Sequence, residues 1–241
     1  MRSWIEPIAL AVALTFPTVM AWLYFVAAVP APGSGPSAQM QSLYFAGKVA
    51  QFTLPVACWA LTNPSRLGNL RPKWKGLGPA LAFGIFSLVG IVGVYFFVLK
   101  GTPLLTAMPE QVRRKVGELG IHTPERYLLF AGFISLAHAL LEEYYWRAFV
   151  FDSLRRRQRL WVAVLISAAG FAAHHVVVLH VYSPDRFFTG LLPLTLGITL
   201  GAVAWAWIYH RGGSVWPCWL SHALVDVAIM AVGYDMVFQA T

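Results

Sequence analysis

Seven apolar runs, each about the length of helix that crosses a bilayer, follow one another along the chain with short polar connections between them. They lie at 5–29, 41–62, 76–99, 127–150, 160–182, 187–209 and 215–238. Only 12% of the 241 residues are charged, where a soluble domain carries roughly a quarter. The expected fold is therefore all-α: a polytopic membrane helix bundle of about seven transmembrane helices. The longest polar connection, 100–126, has room for one surface helix and its linkers. Residues 1–241 read as a single integral membrane domain, whose chemistry-bearing core falls at about 123–238.

The net charge of +8 does not point to nucleic acid, because the basic residues form short blocks between apolar runs and not one face of a soluble domain. "NPSRLGNLRPKWK" at 63–75 holds four basic and no acidic residues, and Arg155, Arg156, Arg157 and Arg159 form a second block. The linker "PAPGSGPSAQM" at 30–40 is uncharged. The excess of lysine and arginine in cytoplasmic loops sets both blocks inside and the linker outside, with the N-terminus cytoplasmic. The 100–126 connection, with five basic and three acidic residues on the expected outer side, runs mildly against this. "AAVPA" at 27–31 has the look of a signal-peptide cleavage site, but the run before it is long and holds Glu6 and Pro17, so it reads as an anchor. Cys58 and Cys218 both fall in apolar runs and imply neither a disulfide scaffold nor a metal cluster.

Within 100–126, Val112, Val116 and Leu119 recur at helical spacing among Arg113, Arg114, Lys115 and Glu118, which reads as a short amphipathic surface helix. Thr123, Pro124 and Glu125 supply a capping hydroxyl, a first-turn proline and an acid at the positive end of a helix. The fourth span is expected to start there. Gly197 and Gly201 have the spacing of a close helix contact, a weak signal.

A charge in the hydrocarbon core costs at least ~2.5 kcal/mol on insertion scales, so ionisable residues there need a reason. That criterion selects Lys48 and Gln51 in the second run and His138, Glu142, Glu143 and Arg147 in the fourth. It also selects His174, His175 and His180 in the fifth, and His222 and Asp226 in the seventh. At about 100° per residue, Glu143 and Arg147 share a face and can pair in the favourable acid-first order, with Glu142 turned away from that arginine and aligned with His138. Taken alone, Glu142 reads as well as a structural group, a buried carboxyl kept protonated or paired with Lys48, as it does as a functional one. Its company argues for more: Phe171 and His175 are four apart on one helix, and His222 and Asp226 are four apart on another. There the carboxylate can accept from the ring and fix its orientation. His174 and His180 read as caps on neighbouring carbonyls, and His210 as an interfacial residue.

The order "EEYYWR" (Glu142, Glu143, Arg147), "FAAHH" (Phe171, His175) and "HALVD" (His222, Asp226) resembles the CAAX-protease and bacteriocin-processing family, which includes the type II CAAX prenyl endopeptidases. Its motifs EExxxR, FxxxH and HxxxN/D fall on successive membrane helices, and the approach "GSVWPCWLSH" is similar too. Residues 1–120 add only generic membrane character.

The resemblance implies an intramembrane endopeptidase of a bacterial cytoplasmic membrane, acting on a membrane-associated protein or peptide. Glu142 with His175 would activate water, and His222 with Asp226 would stabilise the oxyanion or orient substrate. Glu143, Arg147 and Phe171 would support them. A carboxyl in apolar surroundings beside an imidazole is suited to sharing a proton. An ionised Asp226 cannot donate to an oxyanion, which gives that role to His222. The expected centre is a metal-free glutamate peptidase. The alternative is zinc on His175, His222 and Glu142, residue types that suit a catalytic site, although no HExxH is present. A reading from another class is a non-catalytic membrane protein: an immunity factor, a scaffold or a proton-coupled transporter built on the same groups.

One expectation conflicts with the rest. Counted from the run ends at 1.5 Å per residue, His175 falls more than ~10 Å in depth from Glu142 and His222. Either the fifth helix tilts or starts later, or "AFVFDSLRRRQRL" dips into the membrane.

Overall fold

A computed structural model describes residues 4–27, 37–102, 105, 108–182 and 187–239. Residues 28–31 of the small-residue stretch and 30–36 of the uncharged linker lie outside the described residues. Every regular element among the described residues is helical. We label the helices α1 (Ile5–Ala27), α2 (Ala38–Thr62), α3 (Leu77–Leu99), α4 (Met108–Glu118), α5 (124–155), α6 (Leu160–Tyr182), α7 (Phe187–Gly212) and α8 (Val215–Phe238).

Each of the seven apolar runs is thus built as a helix. Five of them, α1, α3, α6, α7 and α8, are long and apolar enough to cross a membrane, which makes the chain a multi-pass membrane protein. The other two, α2 and α5, carry Lys48 and the Glu142–Glu143–Arg147 group and are more polar. Burial explains how α5 tolerates this: Tyr145, Trp146, Arg147, Phe149, Val150 and Phe151 are all fully buried, so this half of the helix meets protein on every side. Large apolar side chains such as Phe86, Phe97 and Phe188 point outward from other helices instead, as a lipid-facing surface requires.

The expected surface helix forms as α4, with Val116 buried and the Arg113 guanidinium donating to the Met236 carbonyl of α8 (3.1 Å). Thr123 caps α5, its hydroxyl accepting from the Arg126 amide (3.4 Å). Gly197 and Gly201 do not make the expected close packing: a side chain at Gly197 would have nothing within 4 Å. The tight approach is made elsewhere. A Cβ at Gly84 of α3 would stand 3.1 Å from the Ser221 backbone of α8.

Both basic blocks lie at one end of the bundle, gathered on one carboxylate. Glu6, in the first turn of α1, accepts from Arg66 (2.8 Å), Arg156 (2.7 Å) and Ser153 (3.1 Å) and pairs with Arg157 (3.0 Å).

The depth conflict disappears because α5 runs on to Arg155 and does not stop at 150. From Arg155 back to Glu142 is about 20 Å of helix, and from Leu160 forward to His174 about 21 Å. The two helices form an antiparallel hairpin whose arms place these residues at equal height. At the other junction Gly213, with φ of 66°, takes the left-handed conformation that ends α7, and the Ser214 hydroxyl accepts from the Trp216 amide (3.4 Å) to start α8. That short turn sets the position of His222.

Candidate active site

Two wide π-helical stretches, Phe133–His138 and Tyr144–Phe151, flank the α-helical turn Ala139–Glu143 of α5. Such turns are frequent at functional sites, because they redirect side chains without ending the helix. Between them Glu142 and Glu143 point to different partners.

Glu143 and Arg147 are fully buried and pair within α5, Oε2 to Nε 3.2 Å. The guanidinium lies over the rings of Phe171 (4.9 Å) and Trp205 (5.3 Å), a cation–π arrangement that disperses a charge removed from water. Phe171 therefore sits beneath the arginine and also touches the ring of His175 at 4.6 Å between centroids. The second oxygen of Glu143 accepts from Nδ1 of His222 at 2.9 Å. Glu143 thus joins α5 to α8 as well as balancing Arg147, a role the spacing within α5 does not contain.

Glu142 lies where three helices bring imidazoles together. Its Oε1 is 3.3 Å from His174 Nε2 and 3.9 Å from His138 Nε2, and its Oε2 is 3.8 Å from His222 Nε2. It is 3% exposed, and no lysine or arginine lies within 4 Å of it among the described residues.

The reading of His174 as a carbonyl cap is corrected by this geometry. The FxxxH pattern directs attention to His175, whose Nδ1 donates to the Phe171 carbonyl (2.9 Å), leaving Nε2 as the ring's other polar atom. His174 is instead the imidazole nearest Glu142, with its ring stacked flat on Trp146 (centroids 5.7 Å, planes 2° apart). The doubled histidine at 174 and 175 was the one signal for it in the sequence.

His222 is held on three sides. Glu143 fixes Nδ1, the Trp205 ring stacks on it at 4.1 Å, and Asp226 Oδ1 is 3.7 Å from Nε2. That last distance is longer than a hydrogen bond, so Asp226 faces the ring without accepting from it. His180 is exposed, and His210 lies 3.3 Å from Arg155 at the end of α7.

One ligand atom each from Glu142, His174 and His175 lies within 4.8 Å of the others. Three such donors suit a zinc ion with a fourth position for water. The grouping takes His174 where the sequence suggested His222.

Residues 124–228 match the family described as type II CAAX prenyl endopeptidase Rce1-like, the span that contains all three motifs. No curated protein and no solved structure matches the chain.

Proposed function

We propose, from the premise that residues 124–228 form an Rce1-like domain of the type II CAAX prenyl endopeptidases, that the chain is a glutamate-type intramembrane endopeptidase of seven spans, with its N-terminus cytoplasmic. The family carries protease activity on a membrane-associated substrate; the residue roles are our own reading. The observation that supports them best is the position of Glu142, a buried carboxylate with imidazole nitrogens of three helices at 3.3 to 3.9 Å.

In this reading Glu142 removes a proton from a water molecule as its oxygen attacks the scissile carbonyl carbon. The carbonyl π electrons move to oxygen, and the tetrahedral intermediate collapses as the C–N bond breaks. The proton passes from Glu142 to the leaving amine, giving a carboxylic acid and an amine, which become carboxylate and ammonium once the acid's proton moves to the amine. His174 and His175 hold the carboxylate and the water in line. His222 faces the centre through Nε2 and is the candidate donor to the oxyanion; because Nδ1 donates to Glu143, it can serve so only from the doubly protonated ring. Asp226 faces that same nitrogen and orients the ring or the substrate amide.

A second reading has one observation in its favour, the Glu142–His174–His175 group, which could hold zinc. Zinc there would supply Lewis-acid polarisation of a water or carbonyl. We favour the metal-free centre because His174 Nε2 already stands within hydrogen-bonding distance of Glu142, at 3.3 Å. Metal analysis of purified protein separates the two: stoichiometric zinc, with cleavage lost to a chelator and restored by zinc, would establish the second.

The decisive experiment maps the termini of membrane proteins in cells carrying wild type or Glu142→Gln. We expect at least one terminus to depend on wild type, while the variant accumulates and unfolds normally in detergent. Identical termini would favour the non-catalytic class, and a pH-gradient-driven flux in vesicles would identify a transporter.

A further inference from the structure

Gln51 of α2 is buried and Lys48 is half-buried, and the hydrolytic centre uses neither. Lys48 stands ten residues from one end of α2 and fourteen from the other, about 15 and 21 Å of helix, so neither helix end is near its ammonium. A cation midway along a largely apolar helix ordinarily has a carboxylate beside it. None lies within 4 Å among the described residues, since the Glu142 oxygens are taken up by histidines. The ammonium donates instead to the Gln51 side-chain oxygen (3.3 Å) and lies near the faces of Tyr44 (5.5 Å) and Phe52 (5.8 Å).

Those partners leave hydrogen-bonding capacity unused. An ammonium has three donors, and one amide oxygen takes one of them. The other end of that amide, Gln51 Nε2, is buried and has no partner, in a residue only 1% exposed. An orphaned buried donor costs about 1 to 3 kcal/mol, a cost that a ligand accepting from it would recover. Ammonium and amide therefore present adjacent donors, one turn apart on α2. The pair borders the Glu142 centre: the Phe52 ring packs on His138 (6.3 Å), whose Nε2 is 3.9 Å from Glu142, and Lys48 lies within the electrostatic reach of Glu142.

We infer that Lys48 and Gln51 form an oxyanion-binding subsite that receives the free C-terminal carboxylate of the peptide substrate. The inference rests on the endopeptidase reading. Two donors at this spacing match the two oxygens of a carboxylate. A terminus anchored there sets which bond, a fixed number of residues back, reaches Glu142. A lipid phosphate offers similar oxygens, but Gln51 is only 1% exposed and borders the Glu142 centre through Phe52 and His138, which argues for the peptide.

The test uses the full-length protein in phosphatidylcholine vesicles and a fluorescent S-farnesyl peptide ending in a C-a-a-X sequence, made with either a C-terminal carboxylate or a carboxamide. Binding is measured on a Glu142→Gln background so that it does not depend on cleavage. We expect the carboxylate peptide to bind about ten-fold more tightly than the carboxamide. Lys48→Met and Gln51→Leu should abolish or shrink that preference, and Lys48→Arg should retain part of it. Equal binding of the two peptides, no binding of the carboxylate form, or a preference that survives Lys48→Met overturns the subsite. If adding phosphatidylglycerol abolishes the preference, the occupant is a lipid phosphate and the peptide assignment falls. Cleavage by the Glu142-containing protein is scored separately. Cleavage without carboxylate preference removes the subsite and leaves the endopeptidase, and preference without cleavage does the reverse.

Discussion

Glu143 accepts a hydrogen bond from His222 across the bundle at 2.9 Å while its other oxygen pairs with Arg147 at 3.2 Å on its own helix. One fully buried carboxylate therefore neutralises a buried guanidinium and orients an imidazole of the centre. Arg147 has no other acceptor among the described residues, only the rings beneath it. Glu143→Gln would leave that cation buried without a counter-charge, the kind of loss that costs ~3 to 5 kcal/mol. Thermal unfolding in detergent should show a large drop for Glu143→Gln and little change for Glu142→Gln. Equal stability of the two variants would remove the division of labour between the glutamates.

His174 should matter to turnover as much as His175, although the motif singles out only the latter. Its Nε2 is 3.3 Å from Glu142 and its ring is fixed on Trp146. Replacing it with Asn should lower kcat by about 10²-fold with little effect on KM or unfolding temperature. His175→Asn should do likewise, and the double variant should lose less than the product of the single losses, because groups acting as a unit are not additive. A His174→Asn protein with wild-type kcat would return that residue to a packing role.

These comparisons also show where the sequence was informative. The three motifs could be read because a membrane makes each buried charge conspicuous, and the helix hairpins follow from length alone. The height of the site could not be read, since hydropathy ends the fourth run at Val150 whereas α5 continues through buried Phe151, Ser153 and Leu154 to Arg155. The choice between His174 and His175 was hidden as well. It depends on how α6 is rotated against α5, and π-helical turns there upset a fixed 100° wheel. The cross-helix bond from Glu143 to His222 and the gathering of three arginines on Glu6 both join residues more than fifty positions apart, beyond what spacing encodes.

The Glu6 cluster carries a prediction about stability. Its carboxylate, only 14% exposed, holds Arg66, Arg156 and Arg157 and so ties α1 to the α5–α6 turn. The hydrogen bond to Glu6 holds the Arg157 guanidinium above its ordinary value despite partial burial. A raised cation contributes stability that is complete below its unfolded pKa and is lost only as pH climbs through the folded one, so this tie persists across neutral pH. Glu6→Gln should lower stability by about 2 kcal/mol, and salt should narrow the gap between wild type and variant by screening the tie. An unfolding temperature unchanged by the substitution would show that the arginines find other partners.

Gly84 tests whether the site depends on how closely α3 approaches α8. A methyl group there would stand 2.9 Å from Leu224 Cδ1 and 3.1 Å from the Cα and carbonyl oxygen of Ser221. Leu224 can turn aside, but the Ser221 backbone cannot, so the helices must separate. Ser221 immediately precedes His222, whose bond to Glu143 leaves no slack at 2.9 Å. Gly84→Ala should therefore cost about 1 to 3 kcal/mol by overpacking and also reduce turnover, because the strain is delivered beside the centre. Gly90→Ala on the same helix is the control: nothing lies within 4 Å of the added atom, so stability should hold or rise by a few tenths of a kcal/mol through helix propensity. If both variants unfold at the same temperature and cleave at the same rate, the close approach at Gly84 plays no part in holding His222.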